Sequence, residues 1–203
     1  MSKIVIIDYS CGNIDSVQSA VNYNGHKSIV TRDYNIVANA EKIILPGQGS
    51  FKTGVKNLKN YGLFNLLKTK CLKEKIPILG ICLGMQIFAT TGYEDGKEEG
   101  LNLIPGKVEK MSSGDYKLPH IGWNQIKKLK EDVLLENIKD ETDFYFVHSF
   151  VFNCENEENV LTKTNYKNSF VSSLSKENIY GVQFHPEKSL APGLQIIKNF
   201  INL

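Results

Sequence analysis

The 203-residue chain has very little arginine, since Arg32 is the only one among its 24 lysines and arginines. Arginine is the side chain best suited to bidentate contacts with phosphates and base edges, and the formal net charge of the chain is only +2. The composition therefore gives no support for nucleic-acid binding. No apolar run reaches the ~18 residues needed to span a bilayer, which argues against a membrane protein.

The four cysteines lack the spacing of a metal site. Cys11, Cys71, Cys82 and Cys154 form neither a Cys-x-x-Cys pair nor a cluster with histidine, which are the usual patterns of structural zinc. The first apolar segment begins at residue 4 without a secretory leader before it. We therefore expect a cytoplasmic protein with reduced thiols, in which one thiol is available for catalysis.

The first ninety residues alternate between short apolar segments and segments with helical spacing. Strands are predicted at 3–8, 27–31, 42–45 and 76–81, and helices at 14–23 and 53–74, the second interrupted at 61–62. This alternation is typical of a parallel sheet flanked by helices.

The pattern changes in the second half, where strands are separated by polar turns and followed by a helix at about 193–201. Strands are predicted at 101–107, 121–128, 144–152, 159–165, 169–175 and 179–184. They indicate an antiparallel or mixed extension of the sheet. Because no linker, repeat or low-complexity tract divides the sequence, we expect residues 1–203 to form a single domain.

Residues 77–86 contain the first candidate catalytic residue, Cys82. Cys82 lies between Gly80 and Gly84, where an apolar strand passes into a helical segment. Small neighbours allow the sharp turn of a nucleophile elbow, and a helix start favours the reactive thiolate. A buried cysteine in a glycine-lined turn would give the same local pattern, so the assignment depends on finding a base.

His185 is the candidate for the base that would activate Cys82. It ends an apolar strand, and Glu187 follows closely enough to hold the imidazole in one tautomer. The other three histidines are less suggestive. His26 lies in a predicted loop, His120 precedes a strand, and His148 lies within an aromatic strand where a core role is equally reasonable.

Two motifs together resemble the class I (triad) glutamine amidotransferases: Gly-Ile-Cys-Leu-Gly-Met-Gln at 80–86 and Gln-Phe-His-Pro-Glu at 183–187. Segments 8–13, 119–124 and 144–149 narrow the resemblance to the glutaminase subunits of imidazole glycerol phosphate synthases. The resemblance covers the whole chain in order. It implies an α/β fold of the class I type, with a mostly parallel central sheet, flanking helices and an antiparallel extension.

The resemblance implies that the protein hydrolyses glutamine to glutamate and ammonia. Cys82 would attack the side-chain amide, His185 would move the proton to the departing ammonia, and Glu187 would orient His185. The oxyanion would be held by backbone N–H groups of Leu83, Gln48 and Gly49. The last two belong to the Pro-Gly-Gln-Gly loop at 46–49, called here the oxyanion loop.

The same resemblance assigns glutamine binding to Gln86, Glu99, His148, Ser149 and Phe150, partly through the backbone. The assignment of Glu99 depends on how the acidic segment before Gly100 is aligned. Gln86 could instead be an ordinary residue of a first helical turn.

The implied partner is a (β/α)₈-barrel cyclase, which would receive the ammonia and form imidazole glycerol phosphate for histidine biosynthesis. Positions that match the docking face are Asn13, Trp123, Tyr145 and Lys188. Trp123 could instead pack in the core, and Lys188 could be an ordinary solvated charge. No metal and no organic cofactor are implied.

Departures from the family pattern leave alternatives open. Ser10 and Gln48 stand where the family usually has glycine and valine, and Asp15 where a basic residue is common. The alternatives are a paralogous glutaminase that supplies ammonia for amidino-sugar synthesis on surface glycans, and another class I glutaminase such as that of pyridoxal phosphate synthase. A catalytically silent binding protein is a third, although the cysteine, histidine and glutamate are all present.

Overall fold

The computed structural model describes residues 3–112 and 117–203. The first half contains four short strands and five helices. The strands are β1 (Ile4–Ile7), β2 (Ser28–Thr31), β3 (Lys42–Leu45) and β4 (Ile78–Ile81). The helices are α1 (Ile14–Tyr23), α2 (Tyr34–Ala38), α3 (Phe51–Asn60), α4 (Leu63–Leu72) and α5 (Leu83–Gln86).

The second half is mostly strand. Its strands are β5 (Thr91–Gly92), β6 (Glu98–Glu99), β7 (Gly106–Lys110), β8 (His120–Gln125), β9 (Lys127–Lys128), β10 (Asp143–His148), β11 (Phe150–Cys154), β12 (Val160–Tyr166), β13 (Asn168–Lys176) and β14 (Ile179–Val182). Helix α6 (Leu190–Ile201) follows, and short 3₁₀ turns occur at Val133–Leu135, Glu157–Asn159 and Pro186–Lys188.

The central sheet has the strand order β2-β1-β3-β4-β14-β13-β12-β9. Strands β2, β1, β3, β4 and β14 run parallel, and β13, β12 and β9 continue the sheet antiparallel. The predicted fold class is therefore confirmed. Because β14 lies directly beside β4, both strands end at the same edge of the sheet, where functional residues of such folds collect.

Two smaller sheets complete the second half. Strands β8 and β10 form an antiparallel pair, and β11, β7, β5 and β6 form a second sheet. The predicted strand at 144–152 is thus two strands, and the chain passes from one sheet to the other at Ser149.

The core fills both faces of the central sheet. All four residues of β1, β3, β4 and β14 are buried, as expected for strands covered on both sides. The predicted interruption at 61–62 is also present, because Gly62 adopts a positive φ of 71° between α3 and α4.

The predicted strand at 101–107 is wrong over its first five residues, since β7 begins only at Gly106. Leu101 and Leu103 are nevertheless fully buried. Their backbone N–H groups donate to the carbonyls of Ile87 (2.8 Å) and Phe88 (2.9 Å). This segment is apolar because it packs over the end of α5, and not because it joins a sheet. No helix in the described ranges has both the length and the apolar character to cross a bilayer.

Lys42 joins the central sheet to the end of α6. Its side chain is 7% exposed, and its ammonium donates to the carbonyl oxygens of Ile201 and Leu203.

We expect Lys42→Met, which keeps the aliphatic stem but removes the donor, to lower the free energy of unfolding by about 1–3 kcal/mol in urea titrations. The control Lys56→Met, on the exposed face of α3, should change it by less than about 0.5 kcal/mol. Equal stability of the two variants would contradict this role of Lys42.

Candidate active site

Cys82 lies in a sharp turn between β4 and α5. Its backbone has φ 53° and ψ −108°, a conformation that side-chain-bearing residues rarely adopt. A Cβ at Gly84 would lie 1.8 Å from the carbonyl oxygen of Leu45, and one at Gly80 would lie 2.6 Å from the backbone nitrogen of Met85. Both positions therefore require glycine, and the strained turn holds Cys82 at the edge of the sheet.

His185 follows β14 and enters the same region. The Cys82 N–H donates to the carbonyl of Val182 at 2.8 Å, so the ends of β4 and β14 are joined directly. His185 Nδ1 donates to Glu187 Oε1 at 2.8 Å, and both side chains are only 2% exposed. In the described part of the chain, His185 Nε2 and Glu187 Oε2 have no hydrogen-bond partner. The carboxylate fixes the tautomer of the ring and leaves Nε2 available.

The pKa of His185 reflects opposing influences. Burial, the largest of them, lowers the pKa, but the charges of Cys82 and Glu187 and the hydrogen bond to Glu187 outweigh it and raise the pKa to about 10. The ring is therefore an imidazolium at neutral pH. This is the charge state expected of a cysteine–histidine pair ready for nucleophilic attack.

A pocket of about 370 Å³ opens beside Cys82. Of the residues expected to act on glutamine, its wall contains Cys82, Leu83, Gln48, Gly49, Gln86, His148, Ser149 and Phe150. Tyr145 and Lys188 from the predicted docking face also line it. His185 and Glu187 are buried and do not line the wall.

Glu99 lies outside this pocket, away from the place expected for it in the glutamine site. It is exposed and pairs with Thr91 in the β5–β6 hairpin. Glu94, at the turn of that hairpin, lines the pocket instead and accepts a hydrogen bond from the Phe51 N–H at 2.8 Å. Burial raises the pKa of Glu94, and the Phe51 hydrogen bond opposes that shift. The acidic segment contains several glutamates, and nothing in their order along the chain indicates which one the hairpin turns inward.

The oxyanion loop packs against the start of α5. A Cβ at Gly47 would lie 2.8 Å from Leu83 Cβ and 3.0 Å from the Gly84 nitrogen. Within the described residues, the N–H groups of Gly47, Gln48 and Gly49 donate to no protein acceptor. The first-turn N–H groups of α5, including that of Leu83, have no intrahelical acceptor either. Both sets of donors predicted for the oxyanion are thus unbonded and adjacent.

A chain of side-chain amides connects Gln86 to the nucleophile. Gln86 Nε2 donates to the Phe150 carbonyl (2.9 Å) and to Gln183 Oε1 (3.1 Å), and Gln183 Nε2 donates to Cys82 Sγ (3.6 Å). Gln86 is therefore a buried residue whose side-chain amide is fixed by two acceptors. Gln183 was not predicted as a site residue, although it is the first residue of the motif at 183–187 and a buried polar side chain at an apolar strand end.

His148 lies in the pocket wall, and its ring packs against aromatic side chains of the core. His148 Nδ1 donates to the Phe150 carbonyl at 3.0 Å, so Nε2 is left to accept from His120 Nδ1 at 3.1 Å. Asn124 Nδ2 lies 3.3 Å from His120 Nε2 and completes the chain. Burial lowers the pKa of His148 to about 3 and that of His120 to about 4. Both rings are neutral, and they hold the Phe150 segment in place.

Three of the four predicted docking positions contact one another. Trp123 is 50% exposed and contacts Tyr145 edge-to-face at 6.1 Å between ring centroids, so the core-packing alternative for Trp123 is wrong. Lys188 Nζ lies 5.9 Å from the Tyr145 ring centroid. We call Trp123, Tyr145 and Lys188 the docking cluster. Asn13 is the N-cap of α1, where its side chain accepts from the Ser16 N–H, and α1 packs against the 3₁₀ turn that contains Lys188.

Comparison with known proteins matches residues 5–203 to the glutamine amidotransferase class-I family. The chain is 45% identical over 199 residues to imidazole glycerol phosphate synthase subunit HisH 2 of Methanococcus maripaludis, covering 98% of both chains. It is 46% identical over 201 residues to subunit HisH 1 of Campylobacter jejuni, covering 98% of this chain and 100% of that one.

The fold is similar to that of a crystal structure of a glutamine amidotransferase, with a TM-score of 0.77 and 16% identity over 98% of this chain and 97% of the other. It is also similar to a glutamine amidotransferase of Thermotoga maritima, with a TM-score of 0.66 and 17% identity over 92% of this chain and 76% of the other.

The charge state of His185 can be measured by ¹⁵N NMR of the imidazole. We expect an imidazolium at pH 8 in the unmodified protein and a markedly lower pKa in Cys82→Ala, because the variant removes interactions with Cys82 that raise the pKa of His185. Since the folded pKa of about 10 exceeds the ordinary value of 6.5, the stability from this proton is complete below pH 6.5 and is lost as the pH rises through 10. His148 should stay neutral in both proteins and serves as an internal control. An unchanged His185 titration in Cys82→Ala would contradict the pairing.

Proposed function

The chain belongs to the class I glutamine amidotransferase family, and we propose that it is the glutaminase subunit of an imidazole glycerol phosphate synthase. The full-length identity of 45–46% to subunits of that name carries the proposal. The buried Cys82, His185 and Glu187 beside one pocket support it. We further propose that residues 1–203 act as one glutamine amidotransferase domain in the cytoplasm.

The first half of the reaction forms a thioester. The Cys82 thiolate attacks the side-chain amide carbon of glutamine, and its carbonyl oxygen becomes an oxyanion held by N–H groups of Leu83 and of the oxyanion loop. The His185 imidazolium then donates its Nε2 proton to the amide nitrogen. The carbon–nitrogen bond breaks, and neutral ammonia leaves.

The second half returns the enzyme to its starting state. Neutral His185 now accepts a proton from water, which attacks the thioester carbon. The tetrahedral intermediate collapses, the new carboxylic acid loses its proton to water and departs as glutamate, and Cys82 becomes a thiolate again beside the imidazolium. Glu187 accepts from Nδ1 throughout, so the ring keeps Nε2 directed to the reacting atoms.

Glutamine recognition depends on the opposite end of the substrate. We assign the α-ammonium group of glutamine to the carboxylate of Glu94, which lines the pocket half-buried and has one oxygen on the Phe51 N–H. Gln86 and the segment of His148, Ser149 and Phe150 form the facing wall. A cationic group brought next to Glu94 offsets the burial that raises the pKa of this carboxyl.

The ammonia needs a partner because free ammonia is mostly protonated in neutral water and is then not a nucleophile. The docking cluster at the pocket rim offers exposed aromatic rings and a cation, which are typical of protein interfaces. We propose that a (β/α)₈-barrel cyclase docks there and receives the ammonia to form imidazole glycerol phosphate. The names of the similar proteins do not favour the amidino-sugar or pyridoxal phosphate alternatives.

The central test measures glutamate release from glutamine with and without the cyclase partner and its nucleotide substrate. We expect weak activity alone, strong stimulation in the complex, and a loss of at least about 10⁴-fold in Cys82→Ala with partner binding retained. The gene should also restore growth of a histidine auxotroph lacking its own glutaminase subunit. High activity in isolation would contradict gating by the partner. Failure to restore growth would contradict the histidine assignment.

The choice between Glu94 and Glu99 is tested by matched charge-removing variants. We expect Glu94→Gln to raise the KM for glutamine by about 30-fold or more with a smaller change in kcat, because it removes the buried partner of the α-ammonium group. Glu99→Gln removes the same charge from the exposed strand of the same hairpin, and its KM should be unchanged. The reverse result would restore the assignment made from the sequence.

A further inference from the structure

Tyr9 carries a buried hydroxyl that no protein atom satisfies. The residue follows β1 and is 0% exposed, and within the described residues its oxygen has no hydrogen-bond partner. Buried tyrosine hydroxyls usually find a partner, and each exception calls for an explanation. Replacing the hydroxyl by hydrogen would remove an unmet polar group, so packing alone does not account for it.

The unpartnered hydroxyl lies directly against the oxyanion loop. A Cβ built on Gly47 would be 2.2 Å from the Tyr9 oxygen, so the α-carbon of Gly47 is its immediate neighbour. That same Cβ position is 2.8 Å from Leu83 Cβ and 3.0 Å from the Gly84 nitrogen. The hydroxyl is thus located where the loop meets the start of α5, at the two proposed sources of oxyanion donors.

The Tyr9 ring is fixed in this position. Asn57 on α3 donates to the Tyr9 carbonyl at 3.0 Å, and a Cβ at Gly54 would be 3.4 Å from Tyr9 Cε2. The phenol is packed between its own strand and α3, so it has no room to turn toward a distant acceptor. Any acceptor must be brought to the hydroxyl by the loop.

The oxyanion loop has the freedom to do this. None of its N–H groups from residue 47 to 49 is bonded within the described protein, and Gly49 has a φ of 110°, which only glycine adopts readily. A trans peptide directs its N–H and C=O to opposite sides. Turning the Gln48 N–H toward an oxyanion at Cys82 therefore turns the Gly47 carbonyl away from the pocket.

We propose that the Tyr9 hydroxyl is a positioning group, which donates to the Gly47 carbonyl when the loop turns the Gln48 N–H toward the tetrahedral intermediate. The new hydrogen bond satisfies the buried hydroxyl and stabilises the active arrangement of the loop. Burial, together with nearby Cys11 and Cys82, raises the pKa of Tyr9 well above its usual value, so the hydroxyl keeps the proton that it donates. The inference rests on the proposed glutaminase function.

The test compares Tyr9→Phe with the unmodified protein in the complex with the cyclase and its nucleotide substrate. Losing one oxyanion donor outright typically costs about 10²–10³ in turnover. Tyr9 acts through such a donor, and we expect kcat to fall by about 10- to 100-fold. The KM for glutamine and the melting temperature should be unchanged, or the latter higher. Tyr180→Phe is the matched control, because Tyr180 is also buried but packs against Phe200. Its kcat should equal that of the unmodified protein.

Each outcome decides the matter. A selective fall of kcat in Tyr9→Phe supports the positioning role. An unchanged kcat in Tyr9→Phe overturns it, and so does a loss of kcat that accompanies a lower melting temperature and a higher KM, since that is the result of a merely structural role. An unmodified complex that releases no glutamate overturns the proposed function, and the role of Tyr9 with it. Failure of the Tyr9 role is therefore measured in Tyr9→Phe, and failure of the glutaminase function is measured in the unmodified complex.

Discussion

The parallel pairing of β4 with β14 is the constraint on which the site depends. These strands come from opposite halves of the chain, and their register places Val182 opposite Ile81 and Gly181 opposite Gly80. The hydrogen bond from the Cys82 N–H to the Val182 carbonyl extends this pairing one residue past β4. A shift of one residue would direct the adjoining side chains to the wrong face of the sheet. Cys82 and His185 lie at the same edge of the sheet only because this one register is kept.

The sequence predicted those features of the structure that depend on residues close together along the chain. The alternation of strands and helices, the glycine-flanked turn at Cys82 and the spacing of His185 from Glu187 each depend on neighbouring residues, and the structure shows all three. The place of Glu94 depends on how a hairpin folds against α3, and that of Gln183 depends on a contact with Gln86 at the end of α5. Such positions follow from tertiary packing, and the residues beside them in the sequence do not predict them.

Two histidines near the pocket show how strongly surroundings decide the chemistry of identical side chains. His185 and His148 are both almost fully buried, yet the pKa of one is raised to about 10 and that of the other is lowered to about 3. His185 has negative partners at Cys82 and Glu187, whereas His148 faces a neutral carbonyl and a second imidazole. Burial amplifies whichever charges are nearby. One ring is therefore suited to proton transfer, and the other to holding the pocket wall.

The two faces of the two-stranded sheet of β8 and β10 differ in their exposure to solvent. Alternate side chains of these strands point in opposite directions, so Trp123 and Tyr145 are accessible while His120 and His148 are buried behind them. The hydrogen bond between His120 and His148 joins side chains of the buried face alone. A substitution on the accessible face of this ribbon can therefore alter the protein surface without replacing either buried histidine.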